Sequence, residues 1–191
     1  NRGHREELLF EWGGGPFGGD TDFYKLRFET SWYFRGLGQF FPEFARGHVL
    51  ELMGQAGVTE AYGDSDRTHI WDRFFLGGAY TLRGYKYRYV GPRDSLDEPI
   101  GGNTFWMVSA EYSIPIIERV RIAAFYDIGV VNEEAYDFDV SGVADDAGLG
   151  LRIDIPQMGP MRLDYACPIN YPDYLGGKPR FQFSVGWTRN F

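Results

Sequence analysis

One arginine in this chain stands where anchoring, rather than bond-making, is to be expected. Arg83 closes the run Arg73-Phe74-Phe75-Leu76-Gly77-Gly78-Ala79-Tyr80-Thr81-Leu82-Arg83-Gly84-Tyr85. A guanidinium is a planar fork that holds carboxylates in pairs. Two acids are placed to meet it, Glu111 and Asp127, each on the polar parity of an alternating segment. Cross-strand neighbours lie about 5 Å apart, so carboxylates on adjacent strands can share one guanidinium. Gly84 permits close backbone approach or an unusual φ, and Gly77-Gly78 would do likewise at the base of a hairpin. The chemistry predicted is the fixing of a long loop that would otherwise be floppy.

Other candidate groups do not assemble. His4, His48 and His69 lie far apart, without metal-ligand spacing. Gly13-Gly14-Gly15 and Gly18-Gly19 lack the following Gly-Lys-Ser/Thr of a phosphate loop and read as a glycine-rich turn. Acidic groups at Asp64, Asp66 and Asp72, at Glu133, Glu134, Asp137 and Asp139, and at Asp145 and Asp146 have no EF-hand spacing and read as solvated loop. Cys167, the single cysteine, excludes an intramolecular disulfide framework. No nucleophile–base pair stands out, so no enzyme, cofactor or metal is expected.

The elements that must position Arg83 are strands. In Phe105 to Ile114 one parity carries Trp106, Val108, Ala110, Tyr112 and Ile114, and the other Ser109, Glu111 and Ser113. The same alternation runs through Glu6–Trp12, Phe23–Arg35, Gly47–Val58, Arg121–Val130, Gly148–Ile155, Met161–Cys167 and Phe181–Trp187. Period 2 with a polar reverse face is the strand signature. Each segment is close to the ~9–11 residues a tilted strand needs to cross a bilayer. Connectors differ in kind. Ile116–Arg119 and Pro156–Pro160 are tight, whereas Val131–Ala147, Pro168–Arg180 and above all Thr59–Gly102 are long and acidic or rich in Gly and Pro.

Composition narrows the class. The chain has 191 residues and a net charge of −8, against a general nucleic-acid binder. Mean hydropathy is −0.35, and no stretch approaches 18 uncharged apolar residues, so no transmembrane helix is expected. Asn1 reads as opening inside a polar turn, with no leader ahead of the first alternating segment. Aromatic residues make up 18% and glycines number 26, which fits a β-sandwich or an outer-membrane barrel. Short turns at one end with long loops at the other favour the barrel, with the long loops outside. Charges fall mostly on one parity, so the apolar parity is expected to face lipid, with Trp12, Tyr24, Trp187 and Phe191 as girdle.

Around the Leu82-Arg83-Gly84-Tyr85 tetrad the sequence resembles the BamA family, the barrels that fold and insert outer-membrane proteins. The likeness continues in order through Gly101-Gly102-Asn103, Ser109-Ala110-Glu111-Tyr112, Phe125-Tyr126-Asp127-Ile128-Gly129, Gly148-Leu149-Gly150-Leu151-Arg152, Gly159-Pro160-Met161-Arg162-Leu163-Asp164-Tyr165 and the segment ending at Trp187. It covers roughly 13–191, and it is to the C-terminal half of that family's barrel. Leu82 stands where the family more often has Val. Ser184, Gly186 and Phe191 fit the family of C-terminal assembly signals, but Arg189 occupies the penultimate hydrophobic place.

The resemblance implies an all-β, antiparallel transmembrane β-barrel, residues 1–191 forming one barrel domain with the tetrad on an extracellular loop, 59–102. The eight strands are either a closed small barrel or half of a sixteen-strand one. It implies the same pairing of Arg83 with wall carboxylates. It also implies a Gram-negative outer membrane more than an organelle's, and partners in the lipid bilayer, unfolded outer-membrane clients, periplasmic POTRA domains and accessory lipoproteins. The expected role is strand templating at a weak seam formed by the last strand, with Gly186 in its interior and Trp187 and Phe191 beyond. A translocation pore of the same superfamily and a structural barrel without insertase activity are the alternatives.

Overall fold

The computed structural model describes residues 3–15, 18, 21–39, 41, 46–156 and 159–186. Eight strands follow one another as β1 (Gly3–Gly13), β2 (Phe23–Phe34), β3 (Val49–Ala61), β4 (Thr104–Ile117), β5 (Val120–Asn132), β6 (Ala144–Ile155), β7 (Gly159–Pro168) and β8 (Arg180–Val185). They form a single meander in sequence order, each antiparallel to the next.

β1 and β8 end the sheet rather than pairing with each other among the described residues. The closed eight-strand barrel is therefore not the arrangement adopted. The interior explains why. Eight closed strands leave room only for their own side chains, whereas here most of the long β3–β4 loop lies against the inner face.

Burial is inverted relative to a water-soluble sheet. On β2 the apolar row Leu26, Phe28, Trp32 and Phe34 is exposed, while Glu29 and Ser31 between them are buried. Ser109, Glu111, Asp127 and Asp164 are buried, while Leu149, Tyr165, Phe181 and Phe183 are exposed. A sandwich would show the reverse. The buried apolar cluster is made by the loop packing on the wall: Phe74, Leu76, Leu82, Tyr85 and Val90 against Met53, Phe105, Met107 and Val131.

Several strands run further than alternation alone predicted. β5 reaches Asn132 and β6 starts at Ala144, so the loop between them is 133–143, and Asp145 and Asp146 are wall residues rather than loop acids. Their pairing opposite Ile128 and Asp127 extends the ladder through a polar stretch that sequence alternation does not mark. Val130, expected on the outward face, is buried; the β5–β6 loop turns back over it at Gly142. β4 continues through a bulge at Pro115/Ile117, leaving only residues 118–119 as the turn. The 35–48 connector is longer than the other two links at its end of the sheet and includes a 3-10 turn at Gly36–Gln39.

An arginine placed on the outward row of a membrane strand costs about 2–4 kcal/mol at mid-bilayer. Leu149 is central in β6 and 60% exposed. Leu149→Arg is expected to lower stability by about that amount in lipid-vesicle urea titrations. Gly150→Arg, its inward neighbour, fails differently, by collision with the Asp164 carboxylate.

Candidate functional site

The loop reaches the interior by its own short ladder. Phe74 and Gly102 exchange backbone hydrogen bonds at 2.9 and 3.0 Å, and Leu76 and Val90 do so at 3.3 and 3.0 Å. Within this hairpin the chain reverses at Gly77 and Gly78, both at positive φ, 105° and 103°. A side chain at Gly77 would also meet the Lys86 carbonyl oxygen at 2.2 Å. Gly78 N donates to the Leu82 and Tyr85 carbonyls at 3.1 and 3.2 Å, and Gly77 N to Thr81 Oγ1 at 2.8 Å. This compact turn points Arg83 at the wall.

Arg83 is 1% exposed, and its guanidinium makes four hydrogen bonds. Its Nε and Nη2 donate to Asp127 Oδ2 and Oδ1 at 2.7 and 2.8 Å, a bidentate fork. Nη1 donates to Glu111 Oε2 at 2.7 Å, and Nη2 also reaches Ser109 Oγ at 3.3 Å. Ser109 in turn donates to Asp127 Oδ1 at 2.6 Å. The guanidinium lies flat on Phe125, 3.4 Å from the ring centroid. Glu111 and Asp127 are diagonal neighbours: the ladder sets Ser109 opposite Asp127 and Phe125 opposite Glu111. One guanidinium thus spans β4 and β5.

A second tier extends the pairing. Arg152 on β6 donates from Nε and Nη2 to both Glu111 oxygens at 2.9 and 2.7 Å, and from Nη1 to Asp164 at 2.6 Å. Arg162 on β7 reaches Glu111 at 3.3 Å, and Asp164 lies 3.8 Å from Arg83. Arg83, Arg152 and Arg162 therefore meet Glu111, Asp127 and Asp164. Charges buried in this way need such mutual pairing, because each alone would be costly.

The rest of the tetrad is also placed. Leu82 is fully buried in the apolar cluster. Gly84 passes so close to β6 that a Cβ would sit 2.6 Å from Asp146 Cβ. Tyr85 OH donates to the Asp145 and Asn170 carbonyls at 2.8 and 3.2 Å. Gln182 on β8 donates from Nε2 to the Arg83 and Tyr85 carbonyls at 3.1 and 3.0 Å. The 169–179 loop joins through Tyr174, whose OH donates to the Gly91 carbonyl at 3.4 Å; burial pushes that phenol's pKa up.

Leu82, Arg83, Gly84, Tyr85, Glu111 and Asp127 are thus brought together as the sequence suggested. On the last strand, β8 is described as far as Val185, and Gly186, at φ 111°, donates to the Pro160 carbonyl at 3.0 Å. A positive φ there is open to glycine, which has no Cβ to clash. Trp187 and Phe191 lie outside the described residues. Sequence reasoning did not select Arg152, Arg162, Asp164, Ser109, Phe125 or Gln182. All lie on inward rows of strands it identified, so the missing information was register.

Comparison with known proteins agrees with this geometry. Residues 1–188 match the model of the Omp85 superfamily domain. The chain belongs to the Omp85 superfamily. It is 32% identical to an outer membrane protein assembly factor BamA of Nitratidesulfovibrio vulgaris, over 92% of this chain and 22% of that protein. It is 29% identical to BamA of Neisseria meningitidis serogroup B, over 90% of this chain and 24% of the relative. A SAM50-like protein of Drosophila melanogaster is 28% identical over 76% of this chain and 34% of its own length. The crystal structure of BamA from Haemophilus ducreyi lacking POTRA domains 1-3 has the same fold, with a TM-score of 0.78 at 24% identity, covering 95% of this chain and 38% of that one. The chain spans about a fifth to a third of these sequence relatives. As an Omp85-superfamily barrel wall with outer membrane protein assembly factors of bacteria among its relatives, it is an outer-membrane chain.

Removing one partner from a buried ion pair typically costs about 3–5 kcal/mol, because the other charge is left uncompensated. Arg83→Ala is expected to lose that much in urea titrations and to open the loop to protease between 62 and 103. Arg83→Lys should recover only part, since an ammonium cannot reproduce the fork. Gly84→Ala, with its charge intact, is expected to destabilise as well, through the collision with Asp146.

Proposed function

We propose that this chain is the C-terminal half of the barrel of an outer-membrane protein assembly factor, and that it assists client barrels by offering a strand edge. The observation that carries the reading is β8. Among the described residues it pairs on one side only, with β7 over Met161–Ala166, and stands at the edge of the sheet. A strand at a sheet edge exposes backbone groups on which another strand can build. The names of the BamA relatives support the role.

The reading is non-enzymatic: client folding supplies the free energy, with no nucleotide or cofactor. Residues 1–191 act as one barrel segment, with the 62–103 loop entering from the extracellular side. The partners are the lipid bilayer and unfolded outer-membrane clients. POTRA domains and accessory lipoproteins are partners of the complete protein.

In this account Gln182 couples the seam to the loop, because it ties β8 to the Arg83 and Tyr85 carbonyls. Gln182→Ala is expected to speed hydrogen exchange of β8 amides at least several-fold while β4 and β5 keep their protection. The role itself is tested with vesicles carrying the complete protein. They should fold a urea-unfolded test barrel faster than empty vesicles, and equal rates would remove the assembly reading.

A further inference from the structure

Between the loop and the inner faces of β2 and β3 lies a cavity of about 240 Å³, on the other side of the loop from the Arg83 cluster. Its cations are Lys25 and Arg27 from β2 and Arg73 and Arg88 from the loop. Unlike the arginines of the cluster, these share a single ion pair among the described residues. Arg27 meets one carboxylate, Glu29, at 2.5 Å. Arg73 is spent on the Thr68 and Ile100 carbonyls at 3.0 and 3.5 Å. Lys25 faces Glu11 across the β1–β2 ladder without closing to an ion pair, and Arg88 has no ion pair among the described residues.

What Lys25 and Arg88 have instead is aromatic surface. Lys25 Nζ lies 4.9 Å from the Phe74 centroid, and the Arg88 guanidinium lies 4.6 Å from Phe75 and 5.8 Å from Tyr87. A cation resting on a ring keeps its other side free for an anion. Arg88 is also held at φ 57°, in the left-handed region. Such backbone is uncommon for a residue of this type and concentrates at ligand clamps. Two unmatched cations over rings, one on strained backbone, in a chain of net charge −8, mark a site short of an anion.

We propose that this cavity binds an acidic peptide segment: a side-chain carboxylate taken by Lys25 and Arg88, with an adjoining aromatic residue against the ring-lined wall. A bare phosphate would leave that aromatic wall unused. The site is also smaller than the roughly 300–1,000 Å³ of a drug-sized pocket, which suits one or two side chains. Binding here is read without any client folding, so this site and the assembly role can fail independently.

Trp71 lines the cavity and is 71% exposed, so its fluorescence reports occupancy. The complete protein in detergent micelles is titrated with acetyl-Gly-Glu-Phe-Gly-amide, with the Gln-for-Glu peptide, and with inorganic phosphate. The Glu peptide should give a saturable change that weakens with salt and vanishes in Trp71→Phe. The Gln peptide should bind at least tenfold more weakly. Lys25→Gln, and Arg88→Asn, which tolerates the left-handed backbone, should each weaken the Glu peptide at least tenfold. No saturable binding, or equal binding of the Glu and Gln peptides to the unaltered protein, overturns the proposal without reliance on any variant. Phosphate binding as tightly as the Glu peptide overturns it in favour of a free-anion site.

Discussion

A guanidinium that cannot reach water must be fully paired, and much of this structure follows from that requirement. Arg83 is withdrawn from solvent, so its donors need acceptors fixed in advance. β4 and β5 supply them at Ser109, Glu111 and Asp127, and the acids in turn need cations, which β6 and β7 supply at Arg152 and Arg162. The loop therefore docks in one register only. A slip of one residue along any of these strands would turn its charges to the outward face, where lipid would reject them.

That same requirement distributes the work between the two faces of the wall. Outside, the rows of Phe, Trp and Leu need only be apolar, because hydrocarbon makes no demand on shape. Inside, packing and pairing are specific, and the buried core is the loop itself set against Phe105, Met107 and Val131. At Gly77, Gly78 and Gly84 the loop backbone excludes a Cβ or needs a positive φ. The last strand is tied into this interior by Gln182, which holds the Arg83 and Tyr85 carbonyls.

Much of this was legible beforehand, for identifiable reasons. Alternation marks a strand wherever one face is apolar, so all eight strands and the inward placement of Glu111 and Asp127 could be read from it. The tetrad could be read because it resembles that of the BamA family, and an arginine buried there needs acid partners. What alternation cannot give is which residues stand opposite one another. The contribution of Arg152, Arg162 and Asp164 depends on the β6–β7 register, which pairs Arg152 with Arg162 and Gly150 with Asp164. The polar start of β6 at Asp145 and Asp146 was invisible for the same reason, since it is held by loop and cross-strand partners rather than by a hydrophobic row.

The central claim is that Arg83 and Asp127 are energetically one unit. A double-mutant cycle measures it directly: unfolding free energies of the complete barrel in lipid vesicles for the parent, Arg83→Met, Asp127→Asn and the double variant. The pairing predicts that each single change is costly and that the double variant loses far less than their combined loss, with a coupling of about 2–3 kcal/mol. Losses that simply add would mean that the loop is held by its apolar contacts alone, and that the buried charge cluster does not organise the fold.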